Sequence, residues 1–184
     1  MGILLAFAPF VVFAVIEQFF GAMPGLITAA LMSGALLSRT WMRPHGSPKV
    51  LEVGTVVLFG GLAIYAALGG LTGSVFVVRL CVDAGLLIIV LASIALRRPF
   101  TIQYAREQVP RDVWSRPEFT RANDIISTVW ALAFVVLVAA DVILVYAPRL
   151  PPAVGIGVTV AALLGAAKFT SWYPKRKAHE YSRT

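Results

Sequence analysis

Long apolar runs alternate along the chain with short polar and basic intervals. Val50–Leu68, Ser74–Leu96, Asp124–Ala147 and Ala153–Thr170 are each about 18 to 24 residues long. At about 1.5 Å per residue, runs of that length predict helices that cross a bilayer core. Two further apolar stretches, Ile3–Phe20 and Leu26–Ser38, come first, parted by the breaker Gly21-Ala22-Met23-Pro24-Gly25. Leu26–Ser38 alone is short of the roughly 17 residues a spanning helix needs. Extension through Trp41 and Met42 supplies the length, with Trp41 as an interfacial anchor. The pattern predicts an all-α fold: a single polytopic transmembrane helical bundle with six spans near 3–20, 25–42, 50–68, 74–96, 124–147 and 153–170. Five spans plus a re-entrant hairpin at the start is the alternative. Residues 97–121 form an amphipathic interfacial segment, and 172–184 a basic tail.

Charge orients this arrangement. Threading the spans in order puts Arg39, Arg43 and Lys49 on the same face as the six arginines between Arg97 and Arg121. Lys175, Arg176, Lys177 and Arg183 fall there too, with Lys168 near that end of the last run. The opposite face receives only Arg149. By the positive-inside rule both termini are cytoplasmic, and the membrane is the inner, cytoplasmic one.

Composition changes little in this picture. Hydrophobic residues make up 59% of the chain, more apolar surface than one soluble core of this length could hide. The net charge of +7 invites a nucleic-acid reading, but its placement beside spans fits anionic headgroups, and no basic stretch resembles a groove-reading module. Cys81 lies inside a span, where it acts as a small apolar side chain; no metal spacing of Cys and His exists, and no cofactor is expected. The first apolar run lacks a basic n-region, contains Glu17 and leads into another apolar run, so it reads as a retained span rather than a cleaved signal. His45 and His179 lie in a loop and the tail, and no nucleophile–base pair or phosphate-binding glycine loop suggests catalysis.

Small residues punctuate the spans. Gly21 and Gly25 are four apart, as are Gly69 and Gly73, and Gly60-Gly61 interrupts the third run. Such residues let helices approach closely in lipid, and packing plus turns within the chain is the plain explanation; a self-association face is the other. Charged residues within the spans are the sharper clue, because each is costly in hydrocarbon. Arg79 and Asp83 are four apart on one helix face and can pair. Glu17 and Asp141 lie near the ends of their runs, where structural pairing or snorkelling toward water would account for them. The alternative is that Glu17, Arg79, Asp83 and Asp141 converge on one outward-facing polar pocket.

The segment from Arg97 to Arg121 reads RRPFTIQYAREQVPRDVWSRPEFTR. Pro99 can open a short helix with Phe100, Tyr104 and Gln108 along one side, and Pro110 and Pro117 then break the segment. Arginines interleaved with aromatic residues suit a helix lying among headgroups. The docking candidates are Arg97, Arg98, Tyr104, Arg106, Arg111, Trp114 and Arg116. A protein-partner epitope and an active-site loop are the alternatives.

Arg98-Pro99 after a central span, Val109-Pro110-Arg111-Asp112-Val113-Trp114-Ser115-Arg116 beyond it, and Trp130-Ala131-Leu132 in the next span form a recognisable series. With Pro9 and Phe59-Gly60-Gly61, this series resembles the bacterial intracellular septation protein A family of small inner-membrane proteins over residues 5–170. That family carries a basic-Pro motif, a Leu-Pro-Asp-x-Val-Trp stretch and a Trp-rich span holding a polar residue. Here Arg111 separates Pro110 from Asp112, extra residues precede Trp130, and Asp141 stands where the family often has Asn. The resemblance implies a role in septation, envelope integrity and contact with the cell-wall synthesis machinery, without an established reaction.

Two classes of function follow. One is a non-enzymatic envelope factor that binds membrane lipids, anionic ones above all, or a membrane-protein partner or second copy, through Arg97–Arg121. The other is a small transporter or channel through Glu17, Arg79, Asp83 and Asp141. A lipid-modifying membrane enzyme is a fainter third.

Overall fold

A computed structural model describes residues 5–43, 47–70, 75–147 and 151–181, except for the side chains of residues 152, 175 and 177–181. Arg149, His45, Gly73 and Arg183, with the side chains of Lys175, Lys177 and His179, fall outside the described residues. Among the described residues the chain is α-helical and contains no strand. Four helices are long and apolar enough to cross a membrane: Val50–Ala67 (α3), Val75–Ala95 (α4), Pro117–Tyr146 (α6), and Ala153–Pro174 within Pro152–Tyr181 (α7). The protein is membrane-embedded. Ahead of these lie Ala8–Phe20 (α1), with 13 residues, and Ala22–Trp41 (α2), with 20. At roughly 20 Å, α1 is shorter than a bilayer core. Helix α2 has the length, but Thr28, Ser33, Ser38, Arg39 and Thr40 dilute its apolar character.

Contacts gather into two compact units, Met1–Ile89 and Val90–Thr184, with the boundary inside α4. In the first unit Pro9 stands at the start of α1, where its missing N–H costs nothing. The helix ends at Gly21, whose φ of +91° favours glycine, and whose N–H donates to the Glu17 carbonyl at 3.0 Å. One turn later Gly25 brings α2 against α1: a Cβ there would sit 3.2 Å from the Glu17 nitrogen, the Phe13 carbonyl oxygen and the Phe13 ring. The pair at 21 and 25 thus makes a turn and a close approach within the chain.

The core of this unit is drawn from all four of its helices: Phe13, Leu26, Ala29, Phe59, Val78 and Val82. The Phe59 ring lies 4.9 Å from that of Phe10 and 5.8 Å from that of Phe13, tilted contacts in the favourable range for aromatic pairs. Helices α3 and α4 exchange small for large: Ile89 of α4 covers Gly54, and Leu58 of α3 covers Gly85. In lipid, where burial of apolar surface drives little, such fitting is what holds helices together.

The second unit is built on an antiparallel pair. The Trp130 indole N–H donates to the Thr170 hydroxyl at 2.9 Å, and Leu144 covers Gly155 at the far end. Along α6 the buried positions Asn123, Ser127, Trp130, Phe134, Leu137, Asp141 and Leu144 recur at alternating steps of four and three, a seam suited to a nearly parallel neighbour. Leu132, Val135, Val136 and Ile143 are exposed on the other side. Helix α6 starts at Pro117, earlier than the expected span, because proline at the first position and Glu118 in the first turn begin a helix rather than break a loop. Its 30 residues measure about 45 Å, so about ten residues project beyond a 30 Å hydrocarbon core.

Two helices end in the same hydrogen-bonded turn. After α3, Gly69 N–H donates to the Ala66 carbonyl and Gly70 N–H to that of Tyr65, both at 3.0 Å. After α4, Arg97 N–H donates to the Ile94 carbonyl at 2.9 Å and Arg98 N–H to that of Ser93 at 3.0 Å. Both are Schellman turns, whose pivot residue takes a left-handed conformation. Gly69 does so at φ +80° and Arg97 at φ +54°. For a residue with a Cβ the strain is roughly 1–2 kcal/mol.

Candidate functional site

Past Arg97 the chain folds back. Phe100–Ala105 (α5) is a short helix behind Pro99, and its Phe100 N–H donates to the Ser93 hydroxyl at 3.2 Å. Thr101 ties it to α6: its hydroxyl donates to the Asn123 carbonyl at 3.0 Å and lies 2.7 Å from the Ser127 hydroxyl. Phe100 and Tyr104 are fully buried, at 0% and 2% exposed. Tyr104 therefore leaves the set of docking candidates. It stands one turn from Phe100 on the face that Thr101 turns inward.

The remaining candidates lie on the outside. Beyond Pro110 a single 3-10 turn, Arg111–Val113, presents Trp114, whose indole N–H donates to the Val109 carbonyl at 3.3 Å. The guanidinium carbons of Arg106 and Arg111 lie 5.2 and 5.7 Å from the Trp114 ring centroid. This cation–π contact holds both charges beside one aromatic plate while leaving them exposed. Arg116 reaches Asp112 at 4.0 Å, both well exposed, a pair worth little that leaves the guanidinium available. Arg97, Arg98 and Arg121 are exposed as well.

The antiparallel register brings the end of α7 to this same end of the unit. There Arg176 lies 5.0 Å from the Trp172 ring centroid, and Phe169 stacks on Tyr173 at 5.2 Å. One end of the unit thus collects arginine and aromatic side chains just beyond its apolar stretch, the composition of a membrane–water interface. Comparison with family models, curated proteins and solved structures finds no match.

The charged residues inside the helices are distributed between the units. Glu17 on α1 is buried, and Arg79 and Asp83 on α4 are partly exposed, all three in the first unit. Asp141 lies in the second, 2% exposed on the α6 seam, so it packs inward rather than snorkelling. Each of the four engages another group. Lys49, counted from sequence as a loop charge, is buried and donates to Glu52 at 3.4 Å. A Lys-x-x-Glu step at a helix start was the available signal. The Thr101–Asn123–Ser127 cluster had none, because its partners lie 22 and 26 residues apart.

Proposed function

We propose that this is a non-enzymatic integral membrane protein of the bacterial inner membrane that supports cell-envelope maintenance or septation, as a divergent relative of the intracellular septation protein A family. In this reading it binds anionic lipid or a membrane partner at the basic, aromatic end of the second unit. The observation that carries it is the seating of Arg106 and Arg111 on Trp114 beside the ends of α6 and α7. Two exposed cations held by an aromatic plate just beyond an apolar helix pair suit phosphate-bearing surfaces.

The proposed topology has six spans and cytoplasmic termini, with α1 and α2 as the first pair; five spans plus a re-entrant hairpin at the start is the alternative. Cysteine labelling at Phe20, in a Cys81→Ser background, separates them. Six spans expose that position to the outside, whereas protection from a label added outside would favour the re-entrant alternative.

Native mass spectrometry of the protein in nanodiscs tests the function. Retained anionic lipid or a membrane-protein partner, lost in Arg106→Ala/Arg111→Ala, is the expected result. Equal retention by that variant would refute the assignment. The buried Asp141 and Glu17 support a second reading, a small transporter, for which Asp141→Asn should abolish flux.

A further inference from the structure

The two Schellman turns are an internal comparison. At the pivot after α3 the chain has Gly69, and at the same position after α4 it has Arg97. Arg97 is the sole non-glycine residue with positive φ among the described residues. Glycine would make the identical turn without strain.

Among the described residues no side-chain contact accounts for the arginine. Its side chain is exposed, and among the described residues no carboxylate lies within ion-pair distance of it. A cation is favourable at a helix C-terminus, but Arg98, the next residue, supplies one from an unstrained backbone. The turn's backbone is fixed by its own hydrogen bonds and by the Phe100 N–H on the Ser93 hydroxyl, which lets the strain persist, while no contact among the described residues uses the Arg97 guanidinium. The site is the end of a helix long and apolar enough to cross a membrane, and in the proposed topology Arg97 and Arg98 lie at the depth of the phosphates.

We infer that Arg97 and Arg98 form a seat for the phosphate of an anionic membrane lipid, and that the left-handed turn is what points the Arg97 guanidinium to it. The planar fork of arginine matches a phosphate's oxygens, and a paired seat holds the headgroup against the end of α4. This deepens the proposed function and rests on its lipid-binding reading.

The test uses the full chain in nanodiscs of phosphatidylcholine, with and without phosphatidylglycerol, read by native mass spectrometry and thermal melting. Arg97→Gly should lose about fivefold in phosphatidylglycerol retention, yet melt no lower than wild type in pure phosphatidylcholine, because the turn is relieved. Arg98→Ala should lose retention to a similar degree without gaining stability. Wild-type retention in Arg97→Gly would overturn the inference. A lower melting temperature of Arg97→Gly in phosphatidylcholine would also overturn it, showing that the guanidinium serves the helix end. Failure of the underlying reading looks different, because wild type itself would then show no preference for phosphatidylglycerol. If Arg106→Ala/Arg111→Ala loses the preference and Arg97→Gly keeps it, lipid binding stands and this seat falls.

Discussion

Replacing Thr101 by valine removes one hydroxyl and almost no volume. Thr101 is 3% exposed, and its hydroxyl donates to the Asn123 carbonyl and pairs with that of Ser127, a residue 0% exposed. Two bonds are lost, each worth about 0.5–1.5 kcal/mol net. The cost is softened because a serine in a helix can turn back to the carbonyl four residues earlier. Thr101→Val should therefore weaken the docking of α5 by about 1–2 kcal/mol. Ser127→Ala should cost less, and the double variant little more than Thr101→Val alone. Hydrogen exchange at residues 100–105 reads this directly, since about 1.4 kcal/mol is tenfold in the open population. Exchange there should rise about five- to thirtyfold in Thr101→Val, with α7 unaffected. Additive effects in the double variant, or unchanged exchange, would refute the claim that this cluster holds α5 to α6.

Two further outcomes test the packing. Gly25→Ala places a methyl against two backbone atoms at 3.2 Å, whereas Gly34 on the same helix faces open space. Gly25→Ala should lower stability by about 1–3 kcal/mol in thermal melting and Gly34→Ala should not. Lys49→Met strands Glu52, which is 9% exposed and has its second oxygen without a hydrogen-bond partner; a loss of about 3 kcal/mol is expected. Lys49→Met/Glu52→Leu should melt higher than Lys49→Met alone, and the reverse order would refute the pairing.

The helices of the second unit were legible because a run of apolar residues is a local signal. Their faces were partly so. Asp141 could be seen as an intramembrane acid, but its inward direction depends on the four-and-three stripe it shares with Trp130 and Leu144. Tyr104 was misplaced because arginine and aromatic spacing looks alike whether the rings meet headgroups or another helix. Deciding between those requires Thr101's bond to a residue far along the chain. Arg97 was legible as a charge and illegible as a conformation, since no spacing rule announces an arginine where glycine belongs.

The antiparallel pairing of α6 and α7 bears on how the protein enters the membrane. Of the four helices long and apolar enough to cross a membrane, α6 is the most apolar and α7 the least, so the weaker segment follows directly behind the stronger. Helix α6 carries its acid on the seam facing its neighbour, and that acid is sheltered only once the two helices are together. Insertion as a hairpin would hide Asp141 and carry α7 into the bilayer in one event. A ribosome releasing the chain between the two segments would leave behind both a reluctant helix and an exposed carboxylate.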